Sequence, residues 1–208
     1  MTHPRLPGRG LYAITDGPCA DLLDVVAQAL AGGARVLQYR DKTADAARRH
    51  TEASALKRLC DAHAVPLIVN DDVALAIAAG AAGVHLGRDD GDVAAARAAL
   101  GDGAIIGVSC YDSLALAEAA AEAGADYVAF GAFFPSPTKP DAARTAPDLL
   151  RRSAALGVPR VAIGGITPDN APSLVEAGAD FLAVISAVFA APDVRIAAQR
   201  FTRLYPSD

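Results

Sequence analysis

Short apolar runs alternate along this chain with longer, alanine-rich stretches whose apolar residues recur at helical spacing. Four of the apolar runs follow near-identical phrases: AGGARVLQ at 31–38, AGAAGVHL at 79–86, AGADYVAF at 123–130 and AGADFLAV at 177–184. Each phrase reads as the end of a helix on glycine, where a left-handed cap is needed, followed by entry into a strand. The glycines at 33, 80, 124 and 178 lie 47, 44 and 54 residues apart. Between these phrases lies a second set of apolar runs, at 10–15, 65–70, 104–109 and 159–164. The periodic stretches at 21–31, 43–63, 72–79, 91–100, 113–123, 147–156, 167–177 and 193–204 predict the helices.

Strand and helix therefore alternate eight times. Such alternation predicts parallel strands joined by right-handed crossovers, and eight units predict an α/β protein of the closed (β/α)8, or TIM, barrel class. A doubly wound open sheet is the competing architecture. It would place a glycine-rich dinucleotide fingerprint after its first strand, and TDGPCA at 15–20 is not one. The whole span 1–208 reads as one compact domain, with 1–9 as an N-terminal tail.

Composition narrows the function classes. The chain has 208 residues, 52% of them hydrophobic, with no Trp and few aromatics, so a core of Ala, Val, Leu and Ile is expected. A net charge of -5 argues against a nucleic-acid partner. Cys19, Cys60 and Cys110 are an odd number without metal-binding spacing and read as reduced thiols. The first ten residues show no apolar core of an export signal, and no run of 18 apolar residues predicts a membrane span. A cytoplasmic protein is expected, with its oligomeric state, homo-oligomer included, left open.

In a barrel of this class the active site lies at the C-terminal ends of the strands. Gln38, Arg40 and Lys42 alternate along the second strand as it runs out into a loop, so they share a face. A guanidinium and an ammonium held together suit a diphosphate, against the plainer reading of two solvated surface charges. Tyr12, Thr15 and Asp16 end the first strand, Asn70, Asp71 and Asp72 the third, Asp90 follows the fourth and Ser109 ends the fifth. Asp71 and Asp90 are hard oxygen ligands suited to Mg²⁺, which binds one or two carboxylates and completes its shell with water and phosphate. The competing reading makes them helix caps, Asp71 or Asp72 opening the third helix and Asp90 the fourth.

Gly164 and Gly165 follow the seventh strand, with Thr167 expected to cap a helix starting at Pro168. Ile185 and Ser186 follow the eighth, at the start of another helix. These two loops are the common phosphate site of such barrels. A second anion site, lined by backbone amides, is thus expected across the mouth from the cationic one. The longest loop, after the sixth strand, holds Ser136, Thr138 and Lys139 among three prolines and reads as a lid. His85, in mid-strand, reads as a packed, hydrogen-bonded side chain rather than a general base.

Taken in order, LYAITD at 11–16, QYRDK at 38–42, NDD at 70–72, GVHLG at 83–87 with Asp89 and Asp90, GVS at 107–109, SPTK at 136–139, AIGGI at 162–166 and VIS at 184–186 resemble the thiamine phosphate synthase family. These barrel enzymes join the pyrimidine and thiazole halves of thiamine. The resemblance implies that Gln38 and Asn70 bind the aminopyrimidine. It implies that Arg40, Lys42, Ser109 and Lys139 act on the diphosphate, with Asp71 and Asp90 on Mg²⁺. Gly165, Ile185 and Ser186 would hold the thiazole phosphate, with Ser136 and Thr138 lining that substrate's side. Tyr12 and Gly164 complete the substrate-binding set. Arg88 departs from the glutamine usual there and adds a cation beside the metal loop; Pro137 stiffens the lid.

The chemistry implied suits these residues. The aminopyrimidine ring pushes electrons toward its methylene carbon as diphosphate leaves, and the thiazole nitrogen then attacks that carbon. Such a site needs positioning and charge stabilisation more than acid–base pairs. Two alternatives remain at this point: a thiazole tautomerase-like isomerase, which has no use for Gln38, Lys42, Asn70 and Lys139 together, and a non-catalytic thiazole phosphate-binding regulator, which would be inert with both substrates and Mg²⁺. A further phosphosugar isomerase of this barrel class would need a carboxylate base inside the barrel, and none is evident.

Overall fold

The structure, a computed structural model, describes residues 5–88, 91–135 and 144–205. The strands β1 (Gly10–Ile14), β2 (Val36–Tyr39), β3 (Leu67–Asn70), β4 (Gly83–Leu86), β5 (Ile105–Tyr111), β6 (Tyr127–Phe130), β7 (Arg160–Ile163) and β8 (Phe181–Val184) form a closed parallel barrel in chain order. β1 closes on β8, with Tyr12 opposite Ala183. Eight parallel strands joined through helices make this the (β/α)8 barrel that the alternating pattern predicts.

The helices wrap the outside: α1 (Leu22–Ala31), α2 (Ala46–Ala62), α3 (Val73–Ala79), α4 (Val93–Leu100), α5 (Leu114–Glu122), α6 (Asp148–Arg152), α7 (Pro172–Glu176), α8 (Ser186–Phe189) and α9 (Val194–Thr202). α6 tightens into a 3₁₀ turn at Ser153–Leu156. Five helices open on a polar cap: Asp45, Asp72, Asp92, Ser113 and Asp193 each accept the backbone N–H three residues on. Such a cap stabilises a helix start by about 1 kcal/mol. Asp92, not Asp90, caps α4, so that alternative reading of Asp90 has lost its helix. The four repeat glycines all take positive φ, between 63° and 99°, as the turn from helix into strand requires.

Two observations revise the sequence reading. The stretch at 167–177 is mostly turn: Thr167 N–H donates to Asn170 Oδ1 at 2.9 Å, Asn170 Nδ2 donates to the Gly165 carbonyl at 3.0 Å, and α7 begins only at Pro172. Thr167 Oγ1 does accept the Asn170 N–H at 3.4 Å, as a cap would, but what it caps is a turn, and Pro168 is not the first residue of α7; the Asn170 side chain satisfies the neighbouring backbone groups. β5 also runs two residues further, with a register shift between Ser109 and Tyr111, so Cys110 sits inside the strand rather than after it.

At the N-terminal end of the barrel the repeated Gly-Ala-Asp supplies two buried carboxylates. Asp126 accepts from Ile106 N–H at 2.7 Å and from Arg97 at 2.6 Å, and pairs with Arg5. Asp180 accepts from Arg160 N–H at 2.9 Å and pairs with the Arg160 and Arg9 side chains. Residues 5–9, read as a tail, thus seal this end, with Leu6 buried against the barrel interior.

Few though they are, the aromatics occupy the core: Tyr12, Tyr39, Tyr127, Phe130, Phe181 and Phe201 are among the largest fully buried side chains. Tyr127 enters the barrel interior over Gly107, its register partner on β5. A methyl group on Gly107 would lie 1.9 Å from the Tyr127 ring. The bare backbone there gives the ring its room. Gly107→Ala should lower unfolding free energy by about 1–3 kcal/mol through overpacking, read as the urea midpoint. Gly103→Ala, where nothing lies within 4 Å, should stay within about 0.5 kcal/mol of the parent. Equal midpoints for the two would show that Gly107 holds no such place.

Candidate active site

The C-terminal ends of the strands surround a cavity of about 830 Å³. It is lined by Tyr12, Gln38, Arg40, Lys42, Asn70, Asp71 and Ser109 from the first five strands and their loops. Gly164, Gly165, Ile185 and Ser186 line the other side. Every site residue expected from the sequence that falls among the described residues therefore borders one space. Asp90, Ser136, Thr138 and Lys139 lie outside the described residues. β3 and β7 stand four strands apart in either direction around the barrel, so the cationic and the glycine-lined sides face each other across the mouth.

The cations are held through their backbone. At the end of β1, Thr15 Oγ1 accepts the Arg40 N–H at 2.9 Å and donates to the Arg40 carbonyl at 3.2 Å. The Arg40 guanidinium pairs with Asp16. Asp41, buried, accepts the Thr43 N–H at 2.8 Å and pairs with Arg48 at 2.8 Å. Burial pushes the Asp41 carboxyl up, but the Thr43 bonds and the Arg48 charge outweigh it and leave the group below the ordinary carboxylate range. Arg48 also pairs with Glu52, which accepts from Tyr39 Oη at 2.7 Å. The loop that carries Arg40 and Lys42 is thus pinned to α2 on one side and to β1 on the other.

Lys42 Nζ lies 3.1 Å from Asp71 Oδ2. Asp71 takes φ of 63°, left-handed for a residue with a side chain, while its N–H donates to the His85 carbonyl at 2.8 Å and its Oδ2 accepts from Asn70 Nδ2 at 2.5 Å. The turn carries Asp71 to the cavity and leaves the cap of α3 to Asp72. Among the described residues no group of three or more His, Cys, Asp or Glu side chains could hold a metal ion.

On the opposite side, Gly164 and Gly165 take φ of 104° and 60°. A methyl on Gly165 would lie 2.1 Å from the Pro135 carbonyl oxygen, and one on Gly164 would meet Ala132 at 2.5 Å. The loop after β6 packs onto this pair, with Phe134 N–H donating to the Gly164 carbonyl at 3.0 Å. Glycine is required here by close contact with that loop as well as by its turn. Ser186 is the first residue of α8, as expected; the Val188 and Phe189 amides donate to the Ile185 carbonyl at 3.2 and 3.0 Å, and the Ser186 and Ala187 amides precede those first bonds of the helix.

Sequence reasoning missed the cavity floor. Gln38 Nε2 donates to Tyr12 Oη at 2.9 Å, and the Tyr12 and Tyr127 hydroxyls are 2.7 Å apart. Tyr127 Oη is 3.0 Å from His85 Nδ1, and His85 Nε2 is 2.9 Å from Ser109 Oγ. His85 is packed and hydrogen-bonded, stacked on Tyr127 with ring centroids 5.6 Å apart. Tyr12, expected to bind substrate, commits its hydroxyl to this network and offers the cavity its ring. The missed signal was Tyr127: alternation turns it inward with Ala129, and a buried phenol needs a partner. Arg88 stacks over the Tyr111 ring at 4.7 Å, and both border the cavity.

Comparison with known proteins agrees with this geometry. Residues 11–188 match the family model described as thiamine monophosphate synthase. The chain is 57% identical over 205 residues to a thiamine-phosphate synthase of Thiobacillus denitrificans, covering 97% of each. It is 58% identical over 200 residues to that of an Azoarcus species, covering 95% of this chain and 97% of the other. The solved thiamine phosphate pyrophosphorylase of Pyrococcus furiosus superposes with a TM-score of 0.86 at 36% identity, covering 94% of both chains.

The cysteines stand apart from this site. Burial pushes the Cys60 and Cys110 thiols up to about 12, while Cys19 is exposed. At pH 8 the two buried groups hold only about one thiolate in ten thousand. A thiol reagent at pH 8 should therefore titrate one thiol in the folded protein and three in denaturant, and blocking Cys19 should leave activity intact. A second fast-reacting thiol, or loss of activity on blocking Cys19, would return a cysteine to the chemistry.

Proposed function

The chain belongs to the thiamine monophosphate synthase family, and from that premise we propose how it works as a thiamine-phosphate synthase. It is a transferase; in our reading it joins hydroxymethylpyrimidine diphosphate to thiazole phosphate and releases pyrophosphate by dissociative substitution. The observation that carries this reading is one cavity with cations on the β2 side and a glycine turn and helix start on the β7–β8 side. It offers places for two anions, one for each substrate.

Gln38 and Asn70 hold the aminopyrimidine between them. Arg40, Lys42 and Ser109 receive the diphosphate, and Lys139 joins them on the strength of its SPTK motif alone. Gly164, Gly165, Ile185 and Ser186 hold the thiazole phosphate, with Ser136 and Thr138 on that substrate's side by motif. In the free protein both Arg40 and Lys42 rest against carboxylates, Asp16 and Asp71. The diphosphate exchanges one anionic partner for another, which limits the desolvation of the cations before it arrives.

The residues fit Mg²⁺. Asp71 presents a carboxylate oxygen beside Lys42 at the mouth, and a hard cation takes one or two carboxylates together with substrate phosphate. Asp71 would hold it, with Asp90 as the second carboxylate from the sequence motif. When bound, Mg²⁺ neutralises charge on the leaving diphosphate. The chain's own residues then orient the ring, exclude water around the electron-poor methylene and aim the thiazole nitrogen at it. A group held by fixed donors as charge develops on it leaves more readily than one that must reorganise water.

A reducing, cytoplasmic setting fits three free cysteines, two of them buried. The tautomerase-like alternative has no use for Gln38, Lys42 and Asn70 around one cavity. The regulator alternative has no use for a cationic pocket opposite a second anion site.

Thiamine phosphate formed from the two halves, read as fluorescence after oxidation, tests this directly. Turnover should require Mg²⁺ and stop in excess chelator. Asp71→Asn should raise the half-saturating Mg²⁺ by roughly 10- to 150-fold, the equivalent of losing one charge-assisted contact of about 1.5–3 kcal/mol. Full activity in chelator would sink the metal assignment, and inertness with both substrates would favour the regulator.

A further inference from the structure

The floor of the cavity has a direction. A phenol carries one proton and donates once; a neutral imidazole donates from one nitrogen and accepts at the other. Gln38 Nε2 only donates, so Tyr12 Oη accepts from it. If the Tyr12 proton goes to Tyr127, the Tyr127 proton goes to His85 Nδ1. The ring proton then sits on Nε2 and is donated to Ser109 Oγ. The Ser109 proton is left over, and Ser109 borders the cavity.

The opposite direction fails at its last member. Ser109 would donate to Nε2, Nδ1–H to Tyr127, and Tyr127 to Tyr12. Tyr12 Oη would then accept from both Tyr127 and Gln38, and its own proton would have no acceptor among the hydrogen bonds described. Tyr12 is only 1% exposed, so water does not reach that proton, and a buried unmatched donor is costly. Burial pushes both phenols well above their usual range, so they remain O–H donors throughout neutral and mildly alkaline pH.

We propose that Tyr12, Tyr127 and His85 are positioning residues: they form a one-way hydrogen-bond chain from Gln38 to Ser109 that holds His85 as its neutral Nε2–H tautomer and turns the Ser109 proton into the cavity as a donor to the departing diphosphate. That this anion is the diphosphate rests on the function proposed above; the direction of the chain does not. A consequence links the substrates. The Gln38 amide points its N–H₂ at Tyr12 and leaves its oxygen for the ring amine. A seated aminopyrimidine therefore prevents the amide from flipping, and a flip is what would reverse the chain. Seating the ring at β2 thus sets the donor at β5, three strands away along the barrel wall by way of the interior. No atom moves between substrates through this chain; it fixes orientation only.

The imidazole can be read in the free protein. Long-range ¹H–¹⁵N correlation spectra of histidine-labelled protein, with His85 assigned by its disappearance in His85→Gln, should show a neutral ring protonated at Nε2. Tyr127→Phe, which removes the partner of Nδ1, should mix the tautomers and lower kcat by about tenfold or more, while the KM for thiazole phosphate stays within about twofold. His85→Gln keeps an N–H aimed at Ser109 and should hold kcat within about threefold. His85→Leu, of similar bulk but without a donor, should fall as far as Ser109→Ala. An Nδ1–H or doubly protonated ring in the parent protein overturns the proposal, and so does a Tyr127→Phe variant with unchanged tautomer and kcat. If the parent makes no thiamine phosphate at all, the functional reading falls, and the tautomer still decides the direction of the chain.

Discussion

Carrying a polar chain through the interior of a small barrel is favourable only if every hydroxyl and ring nitrogen in it finds a partner, because a half-satisfied buried network is worse than an apolar one. In this barrel that condition rests on the Tyr127 hydroxyl. It stands between Tyr12 and His85, and without it Gln38 and Ser109 would lose their connection. Its position depends in turn on Gly107, whose missing side chain lets a ring from β6 lie across β5. The packing of one aromatic over one glycine therefore underlies the geometry of the substrate-facing groups above it. The closed, directly bonded barrel then holds the strand ends that carry those groups at fixed separations.

Above this floor, the charged groups are organised through backbone contacts more than through side-chain pairs. Thr15 binds both the N–H and the carbonyl of Arg40, and Asp41 binds the N–H of Thr43. Lys42, between these anchors, keeps a long mobile side chain on a fixed stem. Exposed ion pairs such as Lys42 with Asp71 contribute little to stability on their own, about 1 kcal/mol or less. In the proposed function their use is to keep opposite charges near the mouth until a substrate with more charge displaces one of them. The opposite wall works by a different means, bringing backbone close through Gly164, Gly165 and the start of α8.

Most of the fold was legible because two signals agreed: the repeated glycine-ended phrase and the apolar runs between. The described part of the cavity lining was legible because each expected residue there sits within a few positions of a strand end, and a barrel brings all strand ends to one face. What escaped the sequence required contacts between distant segments. Thr167 looked like the cap of a helix beginning at Pro168; it makes the cap contact, reciprocated by the Asn170 side chain, but closes a turn, and α7 begins only at Pro172. Gly164 and Gly165 read as an anion turn; that the loop after β6 presses on them is a tertiary fact with no local mark. The aromatics looked too few to matter to the core, yet the largest buried side chains include six of them, because size rather than number fills a barrel. His85 was rightly read as packed, but its place between Tyr127 and Ser109 follows from register across β4, β5 and β6.

In the function proposed above, the chemistry is one of placement: fixed donors and cations stabilise a leaving diphosphate, and no protein group forms a bond to either substrate. The most direct measurement of that claim follows a heavy-oxygen label in the bridge between the pyrimidine methylene carbon and its diphosphate. The protein is incubated with Mg²⁺ and the thiazole alcohol, a slow acceptor, and unreacted diphosphate is recovered. If the bond breaks before the new one forms, the freed diphosphate turns within its cradle and recombines, and the label appears in non-bridging positions. Label that stays in the carbon–oxygen bridge while product accumulates would show direct displacement and contradict the account.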